Sequence, residues 1–218
     1  MKILALEFST SRRSAALVVD GTARATSMET GGRAAHAFDL IERALKEAGL
    51  EREQVDGIAV GLGPGSYTGI RAAIAVAQGW QFARHIKLMG IGSVPAMAMQ
   101  AHEDGWRGRL NLVIDAQRGE YYLAVYELGP DGFSETAPLK LVPGAEIEAL
   151  LNRGEAVAGP DVEGRLNGVR PLYPDAAFLG RLATEQNRFV SGEELVPIYL
   201  REAGFVKAPP PRIFHPTD

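Results

Sequence analysis

The stretch GIAVGLGPGSYTGIR, residues 57–71, joins a short apolar run, a glycine-rich segment and the start of a long apolar helix pattern. The apolar run predicts a buried strand, and the pattern after the glycines predicts a helix from Ile70 to His85. Where such a turn leads from a strand into a helix, free backbone N–H groups and the positive end of the helix dipole point the same way. This order therefore predicts a cradle in which an anion could be held.

The residues of this glycine-rich loop define the candidate contacts to a phosphate or nucleotide. Glycines let a backbone approach an anion closely, and serine and threonine hydroxyls add donors. The loop is not a Walker A motif, because no Gly-Lys-Ser/Thr follows and the loop contains no lysine. A tight structural turn whose hydroxyls cap the helix is the alternative. The candidate contacts are Gly63, Gly65, Ser66, Tyr67, Thr68, Gly69 and Arg71.

The helix predicted after this loop carries few polar residues. Arg71, Gln78 and His85 recur at every seventh position and leave a narrow polar stripe. Such a helix has to be covered on two sides, by its own sheet and by another helix. A preceding helix, predicted from Ala34 to Ala48, supplies part of that cover. A partner subunit and a well-buried core position both satisfy the pattern. The residues expected to contact a partner are Phe38, Ile41, Leu45, Ala72, Ala75, Val76, Gly79 and Ala83.

Two units with the same order of features, one in each half of the chain, predict an internal duplication. A strand over 3–8 contains Glu7, and a strand over 112–115 ends in Asp115. Each strand is followed by an arginine-containing turn, a second apolar run and an Asp-Gly hairpin signal. Any two amphipathic hairpins would look similar, which is the alternative. Glu7 and Asp115 stand where nucleotide-binding folds place magnesium-directing carboxylates, although ordinary loop acids are more common at such positions.

The remaining segments predict the rest of the architecture. Expected elements are a third strand over 22–28, a strand over 88–91, a helix from Ser93 as its cap to about His102, helices over 146–153 and 175–188, and a strand or extended segment over 196–201. We divide the chain into an N-terminal lobe, 1–106, a C-terminal lobe, 107–206, and a flexible, proline-broken tail, 207–218.

Composition narrows the class of protein. Of 218 residues, 46% are hydrophobic and 23% are charged, as in an ordinary globular protein. The net charge of −4 provides no positive field for RNA or an anionic membrane, so we expect the isolated chain to bind tRNA weakly. Cysteine is absent, and no apolar run is long enough for a signal peptide or a membrane span. We therefore expect a cytoplasmic protein.

The common catalytic motifs are missing from the sequence. The four histidines are not spaced to share a helix face, which predicts no metal site. No Gly-x-Ser-x-Gly elbow marks a serine nucleophile. Accordingly, we assign no catalytic residue and no cofactor, and treat Glu7 and Asp115 as vestigial acidic positions.

Four segments, in order along almost the whole chain, resemble the TsaB (YeaZ-like) family. The segment ILALEFST (3–10) is similar to the first strand of that family, and GPGSYTGIR (63–71) to its most specific signature. IDAQRGEYY (114–122) is similar to its second-lobe hairpin, and PIYLR (197–201) to its closing motif.

The resemblance implies an α/β fold of the actin/Hsp70/sugar-kinase-like (ASKHA) type, with two lobes of mixed sheets flanked by helices. It also implies membership of the bacterial complex that forms N6-threonylcarbamoyladenosine (t6A) beside the anticodon of tRNAs. In that complex a paralogue, TsaD, carries a metal-binding histidine pair and an ATP site, and TsaB-like chains act by dimerising with it. The first two helices of the N-terminal lobe form the pairing surface, which can also support homodimers. A TsaE-like ATPase joins the pair, and tRNA is expected to bind only within the complex.

The sequence departs from the family pattern at a few positions. Glu7 replaces the usual aspartate, Phe8 a usual small residue, and Ala37-Phe38 a usual Ser-Glu pair. A longer carboxylate at position 7 makes independent binding of a magnesium–nucleotide more doubtful.

The alternatives to an assembly subunit are a stand-alone ASKHA-type ATPase or kinase, a glycoprotease-like peptidase, and direct tRNA binding. The sequence does not decide between a monomer and a homodimer of the free chain.

Overall fold

The computed structural model describes residues 1–31, 37–162 and 164–200. Five strands of the first half form one mixed sheet in the order β3-β2-β1-β4-β5. β1 pairs antiparallel with β2 and parallel with β4, and β4 pairs parallel with β5. The strands are β1 (Lys2–Glu7), β2 (Arg12–Val19), β3 (Thr22–Thr30), β4 (Gly57–Gly61) and β5 (Lys87–Ile91).

A second mixed sheet repeats this arrangement with the order β10-β9-β6-β7-β8. Its first strand again pairs antiparallel with the next strand and parallel with the fourth. The repeated topology agrees with the duplicated units in the sequence. The strands are β6 (Gly108–Asp115), β7 (Glu120–Leu128), β8 (Phe133–Pro143), β9 (Val157–Gly159) and β10 (Arg170–Pro171).

Helices cover both faces of the first sheet. α1 and α2 pack on the face that carries Leu4, Leu6 and Leu17, and α5 packs on the face that carries Ala5 and Val18. Because β1 is buried on both sides, its sequence reads as a continuous apolar run rather than an alternating one. The helices are α1 (Ala37–Ala48), α2 (Tyr67–Arg84), α3 (Ser93–Glu103), α4 (Gly144–Asn152) and α5 (Ala176–Gln186); two short 3₁₀ helices span Arg52–Gln54 and Gly192–Glu194. None of the helices in the described ranges is both long and apolar enough to cross a membrane.

The C-terminal part of the chain returns to the first sheet. Gly180 of α5 lies so close to β2 that an added Cβ would come within 2.6 Å of Val18 Cγ2. Further along, the Val190 N–H donates to the Leu88 carbonyl at 2.9 Å, and the Ile198 N–H donates to the Leu62 carbonyl at 2.9 Å. The division at residues 106 and 107 remains a prediction, and residues 176–198 contact the first sheet although they follow the second one in sequence.

Several predicted boundaries differ from those observed. α2 begins three residues before Ile70, because Ser66 caps it. Ser93 is the first residue of α3 rather than its cap, since Gly92 takes the N-cap position. Residues 196–200 form no strand, as the Ile198 amide makes a single backbone contact with the β4–α2 connection. The predicted start of α1, His36, Arg201 and the predicted tail lie outside the described residues.

Candidate functional site

Ser66 makes the glycine-rich loop a capped helix start. Its hydroxyl accepts a hydrogen bond from the Gly69 N–H at 3.3 Å, and its own N–H donates to the Ser9 carbonyl at 2.6 Å. The cap satisfies one of the free donors at the α2 N-terminus, and the second bond fastens the loop to the β1–β2 turn. These contacts agree with the structural-turn alternative for this loop.

Two glycines of the loop are required by contact with the protein itself. A Cβ added to Gly65 would lie 2.1 Å from the Ser9 carbonyl oxygen, and one added to Gly69 would lie 2.0 Å from the Phe8 carbonyl oxygen. Real Cβ atoms essentially never come closer than about 3.0 Å to another heavy atom. Both glycines therefore allow the loop to pack on the end of β1. Gly63 precedes a cis peptide bond to Pro64 and has a φ of +85°, a conformation that also favours glycine.

Tyr67 and Arg71 form a small cluster with Tyr199 at the start of α2. The rings of Tyr67 and Tyr199 stack with their centroids 5.7 Å apart, and the Arg71 guanidinium lies 4.9 Å from the Tyr67 ring centroid. Partial burial raises the pKa of the Tyr199 phenol above its usual value, while a hydrogen bond with Arg71 acts in the opposite direction. Thr68 is exposed on the same turn.

A cleft of about 610 Å³ lies beside this cluster, between the two sheets. It is lined by the β1–β2 turn, the glycine-rich loop, the β6–β7 turn and the loop after β9. Its polar lining includes Ser9, Ser11, Arg13, Asp115, Gln117 and Asp161.

Glu7 does not face this cleft. Its side chain is fully buried, and it accepts hydrogen bonds from the Ser9 N–H at 2.8 Å and from the Ser93 hydroxyl at 2.7 Å. A Cβ added to Gly61 would lie 2.3 Å from Glu7 Oε2, so the carboxylate lies directly against β4. Burial raises the pKa of Glu7, and the hydrogen bonds from Ser9 and Ser93 counteract part of that effect.

Asp115, the acidic residue at the corresponding end of β6, does reach the cleft. One carboxylate oxygen accepts from the Gln117 N–H at 2.8 Å, and the other accepts from Gln117 Nε2 at 2.9 Å and pairs with Arg165. The structure thus separates the two acidic positions, with Glu7 in the core and Asp115 in an ion pair. Over residues 1–31, 37–162 and 164–200, no group of three histidine, aspartate or glutamate side chains could hold a metal ion.

The predicted partner face of α2 is largely free in this chain. Ala72, Ala75, Gly79 and Ala83 are exposed, and a Cβ added to Gly79 would meet nothing within 4 Å. The alternative of a helix buried all round is therefore wrong for the described part of the chain. Val76 is half-buried and lies at the border of this surface.

Phe82 is the residue of this face that sequence reasoning missed. It projects beside Gly79 and Ala83 with 90% of its surface exposed. Aromatic residues, phenylalanine included, are enriched at the centre of protein interfaces. Its spacing from Ala75 and Gly79, seven and three residues, is the helical signal that could have identified it.

The α1 part of the predicted face needs a correction. Phe38 is 57% exposed, but Ile41 and Leu45 are 1% and 3% exposed. Both belong to the core cluster in which α1 packs against the first sheet, so they cannot contact a partner while α1 stays in place. We use the name docking face for the exposed residues of the predicted partner surface together with Phe82: Phe38, Ala72, Ala75, Gly79, Phe82 and Ala83.

Known proteins resemble this chain over most of its length. The family described as TsaD, tRNA N6-adenosine threonylcarbamoyltransferase, matches residues 34–184. A protein of Escherichia coli strain K12 named tRNA threonylcarbamoyladenosine biosynthesis protein TsaB is 30% identical, over 92% of this chain and 95% of its own length. This chain belongs to the TsaB family. A Haemophilus influenzae protein of the same name is 29% identical over 92% of this chain and 94% of its own length.

A solved TsaB-type structure supports the fold as well as the family. YeaZ from Pseudomonas aeruginosa superposes with a TM-score of 0.75 at 28% identity, covering 91% of this chain and 99% of that one. The predicted α/β fold, with two mixed sheets flanked by helices, is confirmed. The TsaB-family assignment therefore holds at the level of both sequence and architecture.

Proposed function

We propose that this chain is a non-catalytic subunit in the biosynthesis of threonylcarbamoyladenosine on tRNA. On this proposal it pairs with a TsaD-like catalytic subunit, which a TsaE-like ATPase joins, and it contacts tRNA only as part of the assembly in the cytoplasm. The names of the relatives support the pathway. The match to the TsaD family supports a paralogous partner, because related subunits commonly associate through equivalent surfaces.

The observation that carries the proposal is the docking face. Four small residues form a shallow surface on α2 that allows a second helix to approach closely, and Phe82 projects from the same surface as an anchor. Phe38 is the exposed aromatic residue among the predicted contacts on α1. An exposed aromatic ring beside small residues is typical of an interface whose partner fills the space over the small residues.

The same face could be used by a second copy of this chain. A homodimer through α2 would compete with the TsaD-like partner, because both would cover Ala75 and Gly79. We propose the heterodimer as the functional state and the homodimer as an alternative use of the same surface in the absence of the partner.

Reconstituted formation of threonylcarbamoyladenosine on tRNA tests the function. We expect product only when this chain is combined with the catalytic partner and its ATPase, and none from this chain alone. Ala75→Arg should abolish the stimulation, because the interface would have to bury an unpaired charge. Ala145→Arg is the matched control, since Ala145 is an exposed alanine on α4. Product formed by the chain alone, as by a stand-alone enzyme, or stimulation that survives Ala75→Arg would contradict the proposal.

A further inference from the structure

We infer that the cleft between the sheets does not accept a magnesium–nucleotide, because the chain's own carboxylates already engage backbone donors at its edge. Turns that follow strands present backbone N–H groups to a cleft, and such groups bind anions such as phosphate. In this chain two of these donors, the Ser11 and Gln117 amides, are engaged by the carboxylates of Asp161 and Asp115.

The amide of each of these two turns donates to a carboxylate of the chain itself. The Gln117 N–H donates to Asp115 at 2.8 Å in the β6–β7 turn. The Ser11 N–H donates to Asp161 Oδ2 at 2.9 Å, and the Ser11 hydroxyl donates to Asp161 Oδ1. The Ser66 N–H of the glycine-rich loop is also used, by the Ser9 carbonyl. A phosphate that used the Ser11 or Gln117 amide would have to displace Asp161 or Asp115.

The carboxylates that line the cleft also disfavour the binding of a polyphosphate. Asp115 and Asp161 both line it, so a polyphosphate would meet two carboxylates. Arg13 lines the cleft with its guanidinium 5.8 Å from the Phe8 ring centroid, and Arg165 pairs with Asp115. A magnesium ion would find Glu7 turned into the core and Asp115 in an ion pair. The residues present therefore do not fit a magnesium–nucleotide.

Asp161 has a second role as a tie between the two halves of the fold. Its carboxylate follows β9 of the second sheet and holds Ser11 between β1 and β2 of the first. Nearby, the Ala176 N–H donates to Ser14 Oγ at 2.9 Å, and Arg12 lies over the Tyr173 ring. These contacts join the segment after β9 to β2 and to the turn before it, so they bridge the cleft. They hold the first sheet, whose helices carry the docking face, against the second sheet.

Asp161→Gly tests the inference by removing the carboxylate that engages the Ser11 donors. Asp161 has a φ of +55°, so glycine suits its backbone while removing the carboxylate. Asp131→Gly, at an exposed position of the β7–β8 turn, is the control for the loss of one negative charge. The probes are sodium tripolyphosphate and ATP with magnesium, titrated into each protein by calorimetry, and hydrogen exchange at the Ser11 amide is measured on the same samples.

The wild-type chain and Asp131→Gly should bind neither probe measurably. Asp161→Gly should bind tripolyphosphate measurably, with a Kd at least about tenfold below the weakest Kd that the titration detects, because a charge-assisted acceptor no longer competes for the Ser11 donors. Its Ser11 amide should also exchange faster. Binding of either probe by the wild-type chain with a Kd below about 10 µM, or unchanged binding and exchange in Asp161→Gly, would overturn the inference. The wild-type titration decides the nucleotide question even if the variant is poorly folded.

Discussion

Two alanine substitutions in one helix should change stability in opposite directions. Gly69 and Gly79 both lie in α2, but an added Cβ at Gly69 would stand 2.0 Å from the Phe8 carbonyl oxygen, whereas one at Gly79 would meet nothing within 4 Å. Gly79→Ala should stabilise the isolated chain by about 0.5–1 kcal/mol, since glycine is a poor residue for a helix interior. Gly79 is exposed, so its lack of a side chain serves no packing within this chain. A partner that packs closely against α2 would explain why glycine occupies this position.

The expected effect of Gly69→Ala follows from the contact distance. To reach the closest separation that occurs, about 3.0 Å, the loop or the end of β1 would have to move by about 1.0 Å. Both sides of this contact are backbone, and the Ser66 cap and the Ser66–Ser9 bond hold them together. We expect a net loss of about 2–4 kcal/mol after the small gain in helix propensity is subtracted.

Thermal and urea unfolding of the two variants and the wild type measure the difference. For a chain of this length, melting should fall by about 5–15 °C in Gly69→Ala and rise by about 1–4 °C in Gly79→Ala. If Gly69→Ala is as stable as the wild type, the loop does not need glycine for its contact with β1. Packing of the loop on β1 would then not be what requires glycine at position 69.

Three further predictions concern single side chains. Burial keeps the pKa of the Glu7 carboxyl group above its usual value, so the folded chain holds the carboxyl proton to higher pH than the unfolded chain does. The free energy of unfolding therefore falls as the pH rises from about 4.5 through the raised pKa. Glu7→Gln should remove that part of the pH dependence and be more stable than the wild type at pH 8, as urea unfolding at pH 5 and pH 8 would show; a variant that is less stable at pH 8 would contradict this. Asp175 caps α5 by accepting from the Ala177 N–H at 2.8 Å, so Asp175→Ala should lose about 1 kcal/mol and roughly 2–4 °C of melting temperature, and no change in melting would count against the cap. Phe82→Ala should leave the melting temperature within about 2 °C of wild type, because Phe82 is 90% exposed, yet weaken pairing by about 2 kcal/mol or more; equal affinity in a binding titration would exclude Phe82 from the interface.

Local patterns in the sequence predicted most of the elements, because their signals lie within short segments. The run 3–8, the Asp20-Gly21 turn and the apolar positions of α1 and α2 each indicate their element without reference to the rest of the chain. The position of α5 was not predictable in this way. It packs on β1 and β2, more than 150 residues earlier, through a close approach at Gly180 that no local pattern reveals.

The candidate site was predicted less completely than the fold. Spacing identified α2 as a helix with surplus apolar surface, but it could not tell that Ile41 and Leu45 turn towards the sheet while Phe38 and Phe82 turn away from it. Nor could it show that Glu7 points into the core or that Asp161 reaches Ser11, since both depend on contacts between distant segments. The glycines of the loop were correctly selected as special, and the structure gives a different reason, close contact with β1.

The most direct test of the docking account is a calorimetric titration of this chain into a purified TsaD-like partner. We predict saturable one-to-one binding for the wild type and for Ala145→Arg, and a loss of affinity of at least about 30-fold for Ala75→Arg, because a charge would be buried against the partner. Binding that Ala75→Arg leaves unchanged, or no binding by the wild type at micromolar concentrations, would contradict the claim that α2 is the surface through which this chain acts.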